Sequence, residues 1–191
     1  MAARPIYAEI GRDVKPWTVY LAINQRYDAI QGDFQWAIVM SMATGSSCVV
    51  FRACNQRLGN LVEGVWRIEE SPAGQWQAET SASLLCMFEI KSCERSDIMD
   101  HQRAVISQVG HIIMHNKSVT PMRFAQPFSC KTFALDVLAL TIQRVNGQPS
   151  VYLESCATAA ALRCRQQALE ESALFRAGWY KIYRMEMAPP M

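Results

Sequence analysis

Cys130 is the residue whose type and position point most directly to chemistry. It lies in the stretch FSCKTF at residues 128–133, just after Pro127 and on the predicted first turn of an amphipathic helix. A thiol there is close to unpaired backbone N–H groups and to the positive end of the helix dipole, and both favour the nucleophilic thiolate. The sequence therefore predicts a cysteine nucleophile or, alternatively, a small side chain that fills the junction between a helix and a sheet.

A cysteine nucleophile needs a base, which is most often histidine. Among the three histidines, His111 and His115 lie upstream of this helix and are the main candidates, whereas His101 is on a predicted solvent-facing helix. Histidines spaced i, i+4 could also bind a metal, but residues 111–115 read HIIMH, which lacks the HExxH signature, and no third ligand is evident. We predict no metal site and no cofactor, with a structural role as the alternative for both histidines.

Short apolar runs that could position these residues occupy the first half of the chain. They are rich in β-branched and aromatic residues and are bounded by turn residues, which is typical of strands. The connection ATGSS at residues 43–47 is short enough for a hairpin. The predicted strands cover residues 17–23, 34–41, 48–53, 62–68 and 84–90.

Helical periodicity replaces this pattern in the second half. Ser96 and Asp97 offer an N-cap for a first helix, and the helix from Ser129 has apolar residues spaced i, i+3, i+4 up to Asn146-Gly147. A last helix is predicted from about Leu153 to Ala177, followed by a short closing strand. Strands followed by helices indicate an α+β fold, with an antiparallel sheet of about five or six strands packed against two or three helices.

The length of 191 residues fits one domain. We assign it to residues 17–184, with an irregular N-terminal segment at 1–16 and a disordered tail at 185–191. Turn and loop residues at 24–33 and 71–74 separate the predicted strands.

Charge and composition narrow the classes of partner. The net charge of +2, with Lys and Arg spread along the chain, argues against a nucleic-acid-binding surface. No apolar run reaches the ~18 residues of a membrane span, and the N-terminus lacks the apolar region of a secretory signal. Seven cysteines without a CxxC pair predict a reduced, cytoplasmic protein.

Three short motifs resemble a known family: FQWA at residues 34–37, VWRIEE at 65–70 and Ser129-Cys130. The chain resembles, over about residues 17–180, small uncharacterised fungal proteins in which the strand reads Tyr-His-Trp-Ala and the helix opens Asn-Cys or Ser-Cys. Their layout is similar to that of circularly permuted papain-like proteins such as the lecithin:retinol acyltransferase and NlpC groups. In those groups a histidine on an early strand faces a cysteine at a later helix start.

This resemblance implies that Cys130 is the nucleophile and that Gln35 occupies the position of the histidine. Glutamine does not accept a proton at neutral pH, although its amide forms hydrogen bonds. Gln35 either orients a ligand carbonyl or amide in a pocket or is an ordinary strand residue, and a base would come from His111 or His115. Trp36, Trp66 and Ser129 are the candidate substrate-binding residues, although core packing is the favoured interpretation for the two tryptophans.

The resulting hypothesis is an enzyme of fungal secondary metabolism that modifies a small organic substrate in a pocket around Cys130 and Gln35. It would act by acyl transfer or hydrolysis, or by cyclisation or isomerisation that needs only orientation and hydrogen bonding. The alternative is a non-catalytic module that has lost the Cys–His pair and binds a ligand or a protein.

Overall fold

The computed structural model describes residues 5–9, 14–25, 34–43, 48–54, 67–72, 84–100, 102–103, 128–142, 150–170 and 179–184. In these ranges the chain forms seven strands and three helices. The strands are β1 (Pro5–Glu9), β2 (Thr18–Gln25), β3 (Phe34–Ser41), β4 (Cys48–Cys54), β5 (Arg67–Pro72), β6 (Leu84–Ser92) and β7 (Trp179–Arg184). The helices are α1 (residues 95–100 and 102–103), α2 (Cys130–Ile142) and α3 (Ser150–Glu170).

The strands form one sheet in the order β1-β7-β6-β2-β3-β4-β5. The four strands β6-β2-β3-β4 form its antiparallel centre, β5 pairs antiparallel with β4, and β7 pairs parallel with β6. The predicted α+β class with an antiparallel sheet is confirmed. The predicted number of five or six strands matches neither the four central strands nor the seven of the described sheet.

Strand β1 is a correction to the prediction that residues 1–16 are irregular. Residues 5–9 pair antiparallel with β7, near the opposite end of the sequence. A local pattern does not reveal so distant a pairing partner, and proline at the first position of an edge strand removes no central hydrogen bond. Residues 71 and 72, predicted to form a turn, likewise belong to β5. Residues 62–66 of the predicted fourth strand lie outside the described ranges.

The beginning and end of β2 also differ from the prediction. Trp17 is not a strand residue: its φ is positive, in the left-handed region that is strained for a bulky side chain. Two backbone hydrogen bonds hold it there, from Trp17 N–H to the Met42 carbonyl (3.2 Å) and from Cys93 N–H to the Trp17 carbonyl (2.8 Å). At the other end the strand continues through Asn24, predicted to open a turn, because Asn24 pairs with Gln35 of β3.

Side chains alternate between two faces of the sheet, and both faces are buried. The helix face, which packs against α1, α2 and α3, includes Val19, Leu21 and Ile23 of β2 and Phe34, Trp36, Ile38 and Met40 of β3. The back face includes Tyr20, Ala22, Ala37, Val39, Val50, Leu84 and Met87. Burial on both sides explains why the central strands are nearly continuous apolar runs.

The two long helices lie side by side on the helix face. Helix α2 contacts β3 and β4, and α3 contacts β2 and β6. Every residue from Thr132 to Leu138 is buried, so this part of α2 is enclosed all round and does not present the polar stripe expected of an amphipathic helix. Helix α3 begins at Ser150, slightly before the predicted start. The predicted ends of both helices lie outside the described ranges.

Two further findings bear on function. No helix among the described residues is long and apolar enough to cross a membrane. None of the seven cysteines forms a disulfide.

Candidate functional site

Cys130 is the first residue of α2, as predicted, and a reciprocal pair of hydrogen bonds fixes this helix start. The Ser129 Oγ accepts the N–H of Thr132 (3.1 Å), and the Thr132 Oγ1 accepts the N–H of Ser129 (2.7 Å). This is a capping box in which threonine replaces the usual Glu or Gln. The N–H of Phe133 donates to the Ser129 carbonyl (2.9 Å) as the first bond of the helix. Ser129 is therefore the N-cap of α2.

The Cys130 thiol points into the core. Its residue is only 5% exposed, and its Sγ donates a hydrogen bond to the backbone carbonyl of Phe34 on β3, 3.4 Å away. A carbonyl oxygen is an acceptor only, so the sulfur is the donor in this contact. The helix starts at Cys130 as predicted, but the group that the Cys130 sulfur contacts on β3 is a backbone carbonyl, which only accepts a hydrogen bond.

Side chains of α2 and α3 pack around the contact between Cys130 and Phe34. The Arg165 guanidinium of α3 lies over the Phe34 ring, with 5.2 Å between Cζ and the ring centroid. Phe128 and Phe133 make an edge-to-face contact with centroids 6.4 Å apart, and Lys131 forms a 2.7 Å ion pair with Glu154 of α3. The arrangement favours the interpretation of Cys130 as a small side chain that fills the helix–sheet junction.

Gln35, at the position of the histidine in the resemblance, follows Phe34 on β3. Phe34 and Trp36 belong to the helix face, so the alternation of the strand directs Gln35 to the back face. Its Nε2 donates to the Ala53 carbonyl of β4 (2.9 Å) and, with a longer contact, to the Trp36 carbonyl (3.4 Å). The side chains of Cys130 and Gln35 thus lie on opposite faces of the sheet, and the structure does not bring them together.

The other predicted site residues fall into two groups. Trp36 is 3% exposed and packs in the core of the helix face, and Ser129 is the N-cap described above. His111, His115 and Trp66 lie outside the described residues, so the partnership of Cys130 with a histidine stays a prediction. Within the ranges that the structure describes, no group of three His, Cys, Asp or Glu side chains could hold a metal ion.

The back face contains a polar residue that the sequence analysis missed. Asn24 is 3% exposed and lies between its cross-strand partners Gln35 of β3 and Leu84 of β6. Its Oδ1 is buried without a hydrogen-bond partner among the described residues. The signal in the sequence is the alternation Tyr20, Ala22, Asn24, which places Asn24 on the same face as two buried residues. A buried amide oxygen without a partner requires a physical explanation.

A network of hydrogen bonds and one ion pair lies at the other end of the back face, near the start of β2. The hydroxyl of Tyr20 accepts the N–H of Lys15 (2.8 Å), and the Lys15 Nζ forms a 2.7 Å ion pair with Glu89. Burial raises the pKa of Tyr20 to about 12, so this side chain is a neutral phenol at physiological pH. The Ser41 Oγ accepts the N–H of Thr18 (2.9 Å), and this hydroxyl is also 2.5 Å from the Lys15 carbonyl. These bonds fix the turn before β2.

No protein-family model, curated protein or solved structure matches this chain.

Proposed function

We propose that this protein is a non-catalytic ligand-binding module, the alternative left open by the sequence. The observation that supports it most strongly is the hydrogen bond from the Cys130 thiol to the Phe34 carbonyl. A cysteine nucleophile must meet both a base and the electrophilic carbon of a substrate. A sulfur that is buried in the helix–sheet junction and directs its proton at a backbone carbonyl is poorly placed to attack a substrate carbon.

Gln35 supports the same proposal. Orientation-driven chemistry at Cys130 would need the Gln35 amide on the helix face, whereas its Nε2 is bonded to the Ala53 carbonyl from the back face. In this proposal the chain keeps the layout of the permuted papain-like proteins without the catalytic pair. The contact between Cys130 at the helix start and Phe34 on the early strand supports that layout.

A small organic molecule is the ligand that this proposal favours. This choice follows the resemblance to the permuted papain-like proteins, whose cysteine acts on an acyl carbon. A cytoplasmic location belongs to the same proposal and rests on the seven cysteines without a CxxC pair in the sequence.

Thiol reactivity tests the proposal directly. Native protein is treated with iodoacetamide at neutral pH, and the rate at each cysteine is measured by peptide mass spectrometry, with glutathione as the reference thiol. We expect Cys130 to react at least about tenfold more slowly than glutathione, because a buried thiol reacts only through local opening. Cys156, half-buried on α3, is the internal control and should react faster than Cys130.

Unfolding in urea should remove the difference between Cys130 and Cys156. The proposal is wrong if native Cys130 reacts as fast as glutathione or faster. That result would favour a cysteine-dependent acyltransferase or hydrolase, with His111 or His115 as its base.

A further inference from the structure

Two charged side chains of α3 contact the residues on either side of the hydrogen bond between Cys130 and Phe34. Lys131, next in sequence to Cys130, forms a 2.7 Å ion pair with Glu154. The Arg165 guanidinium lies over the Phe34 ring, 5.2 Å from its centroid. Because the Phe34 carbonyl accepts the Cys130 thiol, each end of that hydrogen bond has its own charged link to α3.

Glu154 and Arg165 lie on the same side of α3. They are eleven residues apart, which is about three helical turns, so their side chains leave the helix in nearly the same direction, about 16 Å apart along its axis. Ala161, about two turns after Glu154, is on this side as well and is fully buried. The two charged contacts therefore bracket a segment of α3 that faces α2 and β3.

The apolar side of α3 is made mostly of small residues. Its buried residues are one leucine and four small side chains: Leu153, Ala157, Ala160, Ala161 and Cys164. The buried residues of α2 include larger apolar side chains: Phe133, Leu135, Val137 and Leu138. Because the free energy gained on burial scales with apolar area, release of α3 from the sheet costs less than release of α2.

The position of Cys130 makes it sensitive to such a release. Cys130 is 5% exposed but lies between the half-buried residues Ser129 and Lys131, so its sulfur is just beneath the surface. The side chains of Lys131 and Glu154 are 40% and 25% exposed, and exposed ion pairs and cation–π contacts each stabilise only modestly. The two contacts therefore bias α3 toward its packed position without making that position permanent.

We propose that α3 is a lid over Cys130, held closed by two lid contacts, the Lys131–Glu154 ion pair and the Arg165–Phe34 contact. In the closed position α3 shields Cys130 and its own buried thiol, Cys164, from solvent. Neutralising either lid contact favours the open position and exposes both thiols together. The lid goes beyond the proposed binding function, because it specifies how access to the helix face is controlled.

Alkylation tests the lid because buried thiols lie on different elements. The full chain is treated with iodoacetamide, and the rates at Cys130, Cys164 and Cys48 are measured separately by peptide mass spectrometry. Cys164 is 2% exposed on α3, and Cys48 is 7% exposed on the back face, on the other side of the sheet from α3. Opening of the lid exposes Cys130 and Cys164, fraying of the α2 start exposes Cys130 alone, and global unfolding exposes all three.

Two substitutions remove the lid contacts one at a time. Glu154→Gln removes the negative charge of the ion pair, and Arg165→Met removes the guanidinium but keeps a long apolar side chain. We expect each variant to raise the rates at Cys130 and Cys164 about threefold, and the double variant about tenfold, with no change at Cys48.

Each substitution also changes the charge beside one thiol, so the decisive rate is that of the other thiol. Glu154→Gln leaves the Lys131 ammonium next to Cys130 unpaired, and Cys164 is its reporter. Arg165→Met removes a cation next in sequence to Cys164, and Cys130 is its reporter. The matched control is Arg103→Gln, which breaks the exposed Arg103–Asp100 ion pair of α1 and should leave all rates unchanged.

The lid does not exist if neither reporter thiol responds to its variant. Equal acceleration at Cys48 would likewise overturn it, because the substitutions would then act on global stability. Both outcomes are compatible with slow alkylation of Cys130 in the native protein, in which case the proposed function stands without the lid. Alkylation of native Cys130 as fast as glutathione is the separate result that overturns the proposed function.

Discussion

Replacing Ser129 with alanine should loosen the start of α2 and increase the reactivity of Cys130. The substitution removes the acceptor of the Thr132 N–H at 3.1 Å, whereas the bond from the Ser129 N–H to Thr132 remains. Loss of an N-cap serine costs about 0.5–2 kcal/mol. Thr132 is 2% exposed, so water replaces the lost acceptor poorly. We therefore expect a loss of about 1–2 kcal/mol.

Urea unfolding measures this loss, and alkylation of Cys130 measures its local consequence. If opening of the first turn becomes easier by ~1.4 kcal/mol, the alkylation rate of Cys130 should rise about tenfold. Ser155→Ala is the matched control, because Ser155 is exposed in the second turn of α3. Alanine is the better helix former, so this change should alter stability only slightly and in the stabilising direction.

The sign of the alkylation effect separates the two hypotheses for Cys130. A buried thiol becomes more accessible when the helix start loosens. A thiolate maintained by the helix N-terminus would instead lose its support and react more slowly. Slower alkylation of Cys130 in Ser129→Ala, or unchanged stability, would refute the reasoning.

Two further predictions concern the polar network that fixes the turn before β2. Ser41→Ala removes the acceptor of the buried Thr18 N–H and should lower the free energy of unfolding in urea by about 2–3 kcal/mol. Ser92 is exposed, and its hydroxyl lies 3.5 Å from that of Thr18, so Ser92→Ala should lower the free energy of unfolding much less. Equal losses in the two variants would contradict this role of Ser41. Burial raises the pKa of Tyr20 to about 12, which is above that of an unfolded tyrosine. The neutral phenol therefore contributes fully to stability below about pH 10, and this contribution, about 2–3 kcal/mol, is lost as the pH rises toward 12. Tyr20→Phe should remove this part of the alkaline loss in urea titrations at several pH values, and an unchanged alkaline slope would show that Tyr20 is not its source.

Local sequence pattern was sufficient for the central strands and for the start of α2. β-Branched and aromatic residues in β2, β3 and β6 identify strands because both faces of the sheet are buried there. The serine before Cys130 identifies a helix start because its hydroxyl satisfies an N–H that the helix leaves unpaired. These features depend on residues a few positions apart.

Features that depend on distant residues were not predictable in the same way. Strand β1 exists through its pairing with β7, and the strained turn at Trp17 exists through backbone bonds to Met42 and Cys93. The resemblance suggested that the side chains of Gln35 and Cys130 meet. The face on which Gln35 lies depends on the register of β3 against the helices, and a shift of one residue moves the side chain to the other face. The alternation with Tyr20 and Ala22 places Asn24 on one face of β2, but the sequence did not show that this face is buried.

The state of Cys130 is the central question of this account, because its sulfur is buried in the helix–sheet junction and donates to the Phe34 carbonyl. Alkylation of the native protein with iodoacetamide near neutral pH, with glutathione as the reference thiol, measures that state directly. We expect Cys130 to react at least about tenfold more slowly than glutathione. A Cys130 that reacts as fast as glutathione or faster would contradict the account.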